Sequence, residues 1–328
     1  MAKRTSLTAA AKSGRLGQYR IAVLVPCCNE EAAVAKVVKD FRAALPTAAV
    51  FVFDNNSIDN TAAAAHAADA EVFQVKRQGK GFVVSRMFTD VEADIYVLVD
   101  GDATYHAPSA PEMIERLLDE RLDMVIGNRM GREEAAYRAG HRTGNWLLTA
   151  FVAKVFGASF KDMLSGYRVF SRRFVKSFPV LSRGFEIETE LTIHALELGL
   201  ATAEVDTPYY ARPEGSVSKL NTWSDGFRIL RTIVKLYRTE RPLPFFTGIG
   251  LALAITSIGF AVPVFTTYFE TGLVPRLPTA ILSLGLMLLA FLSGAIGLVL
   301  DTVTRGRREV KLLAFLAHRA PGEEHRRA

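Results

Sequence analysis

The sequence predicts an α/β protein with a mostly parallel sheet, followed by an interfacial amphipathic helix and a two-helix transmembrane hairpin. Over the first two thirds of the chain, short apolar runs of strand length alternate with segments of helical character. This alternation is typical of parallel sheets that carry helices on both faces. Two apolar segments near the other end, 245–269 and 279–300, contain no charged side chain. Soluble cores rarely contain helices of this length without a polar face, so this pair predicts a membrane hairpin.

Composition narrows the class of protein. The chain has 328 residues, of which 49% are hydrophobic and 23% charged, and this excludes a disordered chain. Its two cysteines, Cys27 and Cys28, are neighbours at the end of an apolar run and do not supply a disulfide framework. They are predicted to be buried thiols in a reducing compartment. The formal charge of +6 clusters beside the apolar segments, which favours a membrane partner over nucleic acid.

The predicted strands end in polar residues. Strands are predicted at 21–25, 50–53, 71–75 and 95–99, with helices between them at 29–45, 61–68 and 82–91. Ligands of such sheets bind at the carboxyl ends of the strands, so the residues that follow each strand are candidates for a site. In chain order these residues are Asn29, Glu30 and Glu31; Asp54, Asn55 and Asn56; Arg77 and Lys80; and Asp100 and Asp102.

Asp100 and Asp102 form a carboxylate pair on a tight turn after the fourth strand. Hard carboxylate oxygens suit Mg²⁺ or Mn²⁺ bound to substrate phosphates. Gly101 is expected to let the backbone come close to a ligand, and the turn itself is expected to be exposed. The first strand is not followed by a glycine-rich turn or a Walker loop, which disfavours a nicotinamide enzyme. The histidines lack the spacing of zinc ligands.

Each apolar segment is long enough to be a membrane span, since ~20 residues at ~1.5 Å rise cross a hydrocarbon core of ~30 Å. Basic residues lie before the first span, between Arg228 and Arg241, and after the second, between Arg305 and Lys311. The positive-inside rule therefore predicts a cytoplasmic (inner) membrane protein with both ends in the cytoplasm. Segment 223–237 alternates apolar and basic residues at helical spacing, which predicts a helix in the lipid interface. An amphipathic helix docked on the soluble domain is the alternative.

These features divide the chain into five predicted segments. They are a flexible basic tail at 1–20, the α/β domain at 21–222, the interfacial helix at 223–242, the transmembrane hairpin at 243–301 and a basic cytoplasmic tail at 302–328.

Seven motifs in order carry a family resemblance. They are PCCNEE at 26–31, DNNSIDNT at 54–61, GKG at 79–81, DGD at 100–102, DMLSGYR at 162–168, GFEIETE at 184–190 and RPEGSVSK at 212–219. The first four resemble the motifs of family 2 glycosyltransferases, which have the GT-A fold. The last three resemble the polyprenyl-phosphate glycosyltransferases, the group of dolichyl-phosphate mannose synthase and bacterial undecaprenyl-phosphate sugar transferases. The resemblance covers about residues 20–220, and the two-span tail recurs in part of that group.

The resemblance implies a role for each matching position. Asp102 would hold the metal on the donor diphosphate, and Asp100 would contact the ribose or the sugar. Two positions depart from the family, since Asn55 stands where an aspartate is common and Thr104 where dolichyl-phosphate enzymes often have glutamine. The nucleotide-sugar pocket would be lined by Pro26, Asn29, Glu30, Asp54, Asn55, Lys80, Asp100 and Glu190.

Cationic groups are expected because the donor and the acceptor both carry phosphate. Arg129 and Arg142 match arginines that the family uses around the acceptor phosphate, where a guanidinium binds two oxygens at once. Arg212 and Lys219 are expected to bind the departing diphosphate from a mobile loop.

The resemblance leaves alternative roles open for the remaining carboxylates. Asp162 matches an aspartate that acts as a base or only orients the sugar or the arginines, while Glu188 and Glu190 would bind donor hydroxyls or hold arginines. The catalytic group is therefore predicted as Asp100, Asp102, Asp162, Arg212 and Lys219.

The implied reaction is an inverting transfer of a sugar from a nucleotide-diphosphate sugar to a polyprenyl phosphate, such as undecaprenyl phosphate, with Mg²⁺ or Mn²⁺ as cofactor. Its product would be a lipid-phosphate sugar donor for glycan or cell-envelope modification. The expected partners are the nucleotide sugar, the lipid phosphate and the membrane, without nucleic acid, and a homo-oligomer is left open.

Two alternatives remain at this point. A membrane glycosyltransferase that extends a lipid-linked or exported polysaccharide would resemble this domain, but such synthases usually add a Gln-x-x-Arg-Trp motif, which neither Trp146 nor Trp223 matches. A non-catalytic nucleotide-sugar-binding membrane protein would have damaged metal and phosphate positions, whereas Asp100, Asp102 and Arg212 are present.

Overall fold

The computed structural model describes residues 15–130, 160–180, 184, 186–213, 231 and 234–322. Arg142, Lys219, Phe185 and half of the predicted interfacial helix at 223–242 lie outside these residues. The chain divides into two units, Met1–Phe227 with Lys311–Ala328, and Arg228–Val310.

Seven strands form one sheet in the first unit. They are β1 (Ile21–Cys27), β2 (Ala49–Asp54), β3 (Glu71–Gln74), β4 (Ile95–Leu98), β5 (Met124–Met130), β6 (Arg168–Ser171) and β7 (Thr202–Pro208). Their order across the sheet is β3-β2-β1-β4-β6-β5-β7. Strands β1 to β4 pair in parallel, β6 is antiparallel to both of its neighbours, and β7 is parallel to β5. The predicted mostly parallel α/β sheet is confirmed.

In the described part of the first unit, six α-helices connect and cover the strands. They are α1 (Glu31–Ala44), α2 (Thr61–Ala67), α3 (Lys80–Asp90), α4 (Ala110–Asp119), α5 (Arg172–Ser177) and α6 (Ile187–Leu198). Among the described residues, the three helices that the sequence predicts correspond to α1, α2 and α3, with ends within two residues of the prediction.

The core lies against β1 and α1. Val23, Leu24 and Val25 of β1 are completely buried, as expected for a strand with covered faces on both sides. Helix α1 presents an apolar stripe that includes Val34 and Phe41, both buried. Each such side chain contributes about 1.5–3 kcal/mol on full burial. The ring of Phe41 lies edge-on to the buried ring of Tyr167, with centroids 5.8 Å apart, so Tyr167 packs in the core.

The second unit contains the long apolar helix α7 (Pro242–Thr271) and most of a second, α8 (Leu277–Leu316). The residues of α8 from Lys311 onward belong to the first unit. Their most apolar 18-residue windows have mean hydropathies of 2.0 and 2.3, and only 17% of each window is buried. Both are therefore long and apolar enough to cross a membrane, and they contain the predicted spans 245–269 and 279–300. Helix α8 continues beyond residue 300 into the segment predicted as a basic tail.

Serine side chains connect the two helices. The Ser257 hydroxyl donates to the carbonyl of Ser283 at 2.6 Å, and the Ser293 hydroxyl donates to the carbonyl of Phe246 at 2.8 Å. Small hydroxyl residues at a helix contact let backbones approach and satisfy polar atoms away from water, as in membrane helix pairs.

Candidate active site

A cleft of about 240 Å³, open to solvent, lies at the carboxyl ends of the parallel strands. Since the parallel strands end at the same edge of the sheet, the polar residues that follow β1, β2 and β4 come together there. The cleft is lined by Pro26, Cys27, Cys28, Glu30, Asn55, Gln78, Gly79, Lys80, Val83, Asp100, Gly101, Asp102 and Arg212.

Seven of the predicted site residues line this cleft, from all three strand ends and from the segment after β7. They are Pro26, Glu30, Asn55, Lys80, Asp100, Asp102 and Arg212. Of the other predicted residues that the structure describes, five are not part of the lining: Asn29, Asp54, Arg129, Asp162 and Glu190. Arg142 and Lys219 lie outside the described residues, so their roles stay predictions.

The Asp100–Gly101–Asp102 turn is fixed by contact with β1. A Cβ atom at residue 101 would lie 2.4 Å from the Cys27 sulfur and 3.3 Å from the Pro26 carbonyl oxygen. Only glycine fits this approach without displacing the Cys27 side chain. The glycine therefore brings the turn against its own sheet. Gly101 also lines the cleft, so its predicted approach to a ligand stays a prediction.

Asp102 is buried, with 5% of its surface exposed, so the expectation of an exposed turn is wrong at this residue. The Thr104 hydroxyl donates to its Oδ1 at 2.6 Å, and an Arg212 guanidinium nitrogen lies 2.9 Å from Oδ2. Burial first, and the nearby charge of Asp100 second, raise the pKa of Asp102 above its usual value. Thr104 thus binds the carboxylate of Asp102 at the position where the related enzymes often have glutamine.

Arg212 reaches Asp102 because two loops pair. The segment after β7 bonds to the segment after Asp102, through an antiparallel bridge between Tyr105 and Tyr209 and a 2.8 Å bond from the Tyr210 N–H to the Thr104 carbonyl. This pairing carries Arg212 to the acidic turn, although the two residues are far apart in the sequence.

Lys80 lies between two carboxylates at the first turn of α3. Its Nζ is 2.5 Å from Asp100 Oδ1 and also forms an ion pair with Glu188, at the start of α6. Burial alone would lower the pKa of Lys80, but the charges of Asp100 and Glu188 raise it above the usual value. Lys80 is therefore a fixed cation, and Glu188 holds this lysine rather than an arginine.

A third loop closes on Asp100. A Cβ atom at residue 166 would lie 2.2 Å from Asp100 Oδ2, so Gly166 leaves room for this carboxylate. The Gly166 N–H donates to the Tyr105 hydroxyl at 2.9 Å, which fixes the loop. The 162–168 motif thus contributes to the shape of the cleft through its backbone.

The loops after β1 and β2 are joined by Asn29 and Ser57. The Asn29 N–H donates to the Ser57 hydroxyl at 2.8 Å, and the Asn29 side-chain oxygen accepts from the Ile58 N–H at 2.9 Å. The Ser57 hydroxyl in turn donates to Asp54, which is buried. Asn29 and Asp54 therefore hold the two loops in register beside the cleft.

Arg129 and Asp162 form a bidentate ion pair near the carboxyl end of β5. The Arg129 Nε and one terminal nitrogen each lie 2.7 Å from an oxygen of Asp162. Both side chains are largely buried. The carboxylate partner of Arg129 is thus Asp162, and not Glu188 or Glu190.

The sequence analysis missed several lining residues, among them Cys28, Gln78 and Val83. Cys27 is buried as predicted, but Cys28 is only half-buried and lines the cleft, so the prediction of two buried thiols is wrong for Cys28. The Gln78 amide donates to the Cys28 sulfur at 3.6 Å. A short polar loop between β3 and α3 gave no chemical signature that would have identified Gln78.

Within the described part of the chain, no group of three or more His, Cys, Asp and Glu side chains has the arrangement of a metal site. Any cation held by Asp102 would need most of its ligands from substrate or water, as Mg²⁺ sites on nucleotides do.

Comparison with known proteins decides the family. The family model for glycosyl transferase family 2 matches residues 22–178. Glycosyltransferase AglJ from Haloferax volcanii is 35% identical over 243 residues, which cover 74% of this chain and 80% of that one. The chain belongs to glycosyltransferase family 2.

Two further proteins resemble this glycosyltransferase. A dolichyl-phosphate hexose transferase from Haloferax volcanii is 27% identical over 221 residues, covering 67% of this chain and 95% of that one. The crystal structure of glucosyl-3-phosphoglycerate synthase from Mycobacterium tuberculosis, in complex with Mn²⁺, UDP-glucose and phosphoglyceric acid, has a TM-score of 0.56 at 24% identity. It covers 69% of this chain and 81% of that chain. This likeness confirms the GT-A fold that the motifs imply.

Proposed function

We propose that this family 2 glycosyltransferase transfers a sugar, with inversion, from a nucleotide-diphosphate sugar to a polyprenyl phosphate at the cytoplasmic face of the membrane. The observation that carries the proposal is the paired set of charges in the cleft, in which Asp102 binds Arg212 and Lys80 binds Asp100. Carboxylates for a cation and basic groups for a diphosphate are the two requirements of a nucleotide-sugar donor.

A divalent cation fits the acidic turn. Burial first, and repulsion from Asp100 second, raise the pKa of Asp102. Asp102 would hold Mg²⁺ or Mn²⁺, with Asp100 beside it. When bound, the ion would neutralise charge on the donor diphosphate. The Mn²⁺ and UDP-glucose named for the structurally similar synthase are consistent with this assignment.

The donor is assigned to the wall formed by Pro26, Glu30 and Lys80, which line the cleft on the side of β1 and β2. Asp54 lies behind this wall and would reach the nucleotide through its carboxylate, one oxygen of which already accepts from Ser57. Glu190 follows Glu188 on α6, and its predicted contact with the donor would need the sugar to extend toward that helix.

Arg212 is suited to stabilise the leaving diphosphate. It lies beside Asp102, and a third of its side chain is exposed. Its guanidinium would bind the charge that develops on the departing diphosphate as the bond to the anomeric carbon breaks. Lys219 keeps the same predicted role.

The acceptor supplies its own negative charge. A phosphomonoester loses its second proton near pH ~6, so its oxygen is already a nucleophile at neutral pH and needs no strong base. Asp162, which is engaged with Arg129 through both oxygens, suits the orienting role better than that of a base. Arg129 uses Nε and one terminal nitrogen for Asp162, so its other terminal nitrogen would contact the acceptor phosphate, together with Arg142.

The lipid acceptor is supported by two features outside the cleft. The chain has two helices long and apolar enough to span a membrane, and one similar protein is named a dolichyl-phosphate hexose transferase. The basic residues on both sides of the spans support a cytoplasmic catalytic domain.

The test is a transfer assay on membranes that contain the full chain. They are incubated with a panel of radiolabelled nucleotide sugars and undecaprenyl phosphate, with and without a chelator, and the lipid is extracted. We expect label in an organic-soluble, mild-acid-labile product that depends on the divalent metal. Membranes with the Asp102→Asn variant are the control. Label that enters only a water-soluble saccharide would overturn the lipid-phosphate acceptor.

A further inference from the structure

Asn55 lies at the junction of three elements in the floor of the cleft. It follows the last residue of β2, and its backbone N–H donates to the Cys27 carbonyl of β1 at 2.8 Å. Its side chain is buried, with 5% of the residue exposed. The position of the Asn55 amide is therefore fixed by the sheet.

The amide of Asn55 bonds to the backbone of the segment between β3 and α3. Its Nδ2 donates to the carbonyls of Val75 at 3.0 Å and Arg77 at 2.8 Å. Its Oδ1 accepts from the Gly79 N–H at 2.7 Å. An asparagine side chain has two N–H donors, so both are used within the protein.

The segment that Asn55 holds leads directly into the Lys80 side chain. Gly79, in a left-handed backbone conformation (φ 135°), precedes the first residue of α3, which is Lys80. From there Nζ reaches Asp100 and Glu188. The place where α3 starts therefore sets where this cation lies in the cleft.

We propose that Asn55 is a positioning residue, which acts through Lys80 and not by donating a hydrogen bond to the nucleotide. The inference rests on the proposed function in that the ligand is a nucleotide-diphosphate sugar. An aspartate of the same shape would lose both donors and place a charge against two carbonyl oxygens, so the amide is required.

The proposal is tested first by the isosteric variant Asn55→Asp. Its matched control is Asn56→Asp, which adds the same charge one residue away at an exposed position. We expect faster hydrogen exchange at residues 75–80 in Asn55→Asp than in Asn56→Asp, because the carboxylate no longer binds the Val75 and Arg77 carbonyls and repels them, which loosens the segment. Equal exchange in the two variants would overturn the proposal. This measurement needs neither donor nor acceptor, so it stands apart from the assay of the proposed function.

A double-mutant cycle then separates positioning from direct contact. Asn55→Asp and Lys80→Met are each expected to weaken binding of the active nucleotide sugar by roughly tenfold, about the worth of one or two hydrogen bonds. The double variant should bind no more weakly than Lys80→Met alone. If the two losses multiply, Asn55 contacts the nucleotide itself and the proposal is wrong. If Lys80→Met does not fold, Lys80→Arg takes its place in the same cycle, with the same two outcomes.

Discussion

The cleft and the end of β5 both contain buried ion pairs, but the two are built differently. In the cleft, an Arg212 guanidinium nitrogen lies 2.9 Å from Asp102 Oδ2, and a third of the Arg212 side chain is exposed. At β5, Arg129 holds both oxygens of Asp162, and the two side chains are 13% and 7% exposed. A partly exposed ion pair is exchanged for a ligand more easily than a bidentate pair that is buried on both sides. The comparison suggests that the cleft pair exchanges with a ligand, whereas the β5 pair stabilises the fold and holds Arg129 for its proposed contact with the acceptor.

The largest expected effect tests the β5 pair. Arg129→Ala leaves the Asp162 carboxylate buried without its bidentate partner, which should lower the free energy of unfolding by about 3–5 kcal/mol. Arg129→Lys should recover part of this loss, because a lysine keeps the charge but not the two-point geometry. The thermal midpoints of the two variants and the wild type, measured on the detergent-solubilised chain, give the loss and its recovery.

The same two variants also test the predicted acceptor role of Arg129. A large fall in midpoint with unchanged dependence of rate on polyprenyl phosphate would overturn that role. If instead the midpoint is unchanged and the rate depends less on polyprenyl phosphate, Arg129 binds a ligand, as the charges of the cleft are proposed to do. The contrast between the two ion pairs would then be wrong.

The second prediction concerns Asp102. Asp102→Asn should lower turnover by roughly 10²–10³-fold, because the carboxylate for the metal is lost. The thermal midpoint should change little, since burial and Asp100 already disfavour the charge on Asp102. Initial rates at saturating Mg²⁺ or Mn²⁺ and a melting curve provide the measurement. Near-normal turnover would refute the metal assignment.

A smaller effect is expected where the cleft turn meets β1. Gly101→Ala places a methyl group against the Cys27 sulfur, and overpacking of this kind costs about 1–3 kcal/mol. Because the clash is with one side chain, Cys27→Ala in the same chain should restore most of the midpoint. If the double variant is no more stable than Gly101→Ala, the turn is fixed by something other than this contact.

The smallest effect is a pH dependence away from the cleft. Burial first, and the charge of Lys311 second, lower the pKa of His194 on α6 to about 3. The unfolded chain takes up this proton near pH ~6.5 and the folded chain does not, so stability is complete above that pH and is lost as pH falls toward 3. One pH unit below the pKa of this histidine in the unfolded chain, the loss in the free energy of unfolding is about 1.4 kcal/mol.

His194→Leu isolates this contribution. Between pH 8 and pH 5.5, the thermal midpoint of the variant should fall less than that of the wild type. This holds even if removing the contact with Ser177 lowers the variant's midpoint at both pH values. If the thermal midpoints of the two proteins fall equally over this pH range, His194 is protonated in the folded state as well.

The sequence analysis predicted the first half of the sheet better than the second. Strands β1 to β4 were evident because runs such as Val23–Val25 are apolar on both faces. Strand β6 was not predicted, since its first residue is Arg168, a charged side chain that is completely buried. The structure compensates this burial with bonds to the carbonyls of Met163 and Ser165 and to the Thr192 hydroxyl. Such tertiary compensation leaves no local pattern in a sequence.

The candidate site shows the same limit. Strand ends identified Asp100, Asp102 and Lys80 as polar residues that meet at one edge of the sheet. Their partners were not predictable, because Glu188 and Arg212 lie more than a hundred residues away from them. A sequence contains many basic residues that could pair with a given carboxylate. Which of them forms the ion pair depends on how the loops and helices pack.

Cys28 gives the cleft a natural attachment point for a chemical label. The chain has only two cysteines, and burial raises the pKa of the Cys27 thiol, so little of it is in the reactive thiolate form. Cys28 is half-buried and faces the space assigned to the donor. A thiol-reactive fluorophore added to the unmodified protein would therefore attach mainly at Cys28, and its emission would follow donor entry without any engineered cysteine.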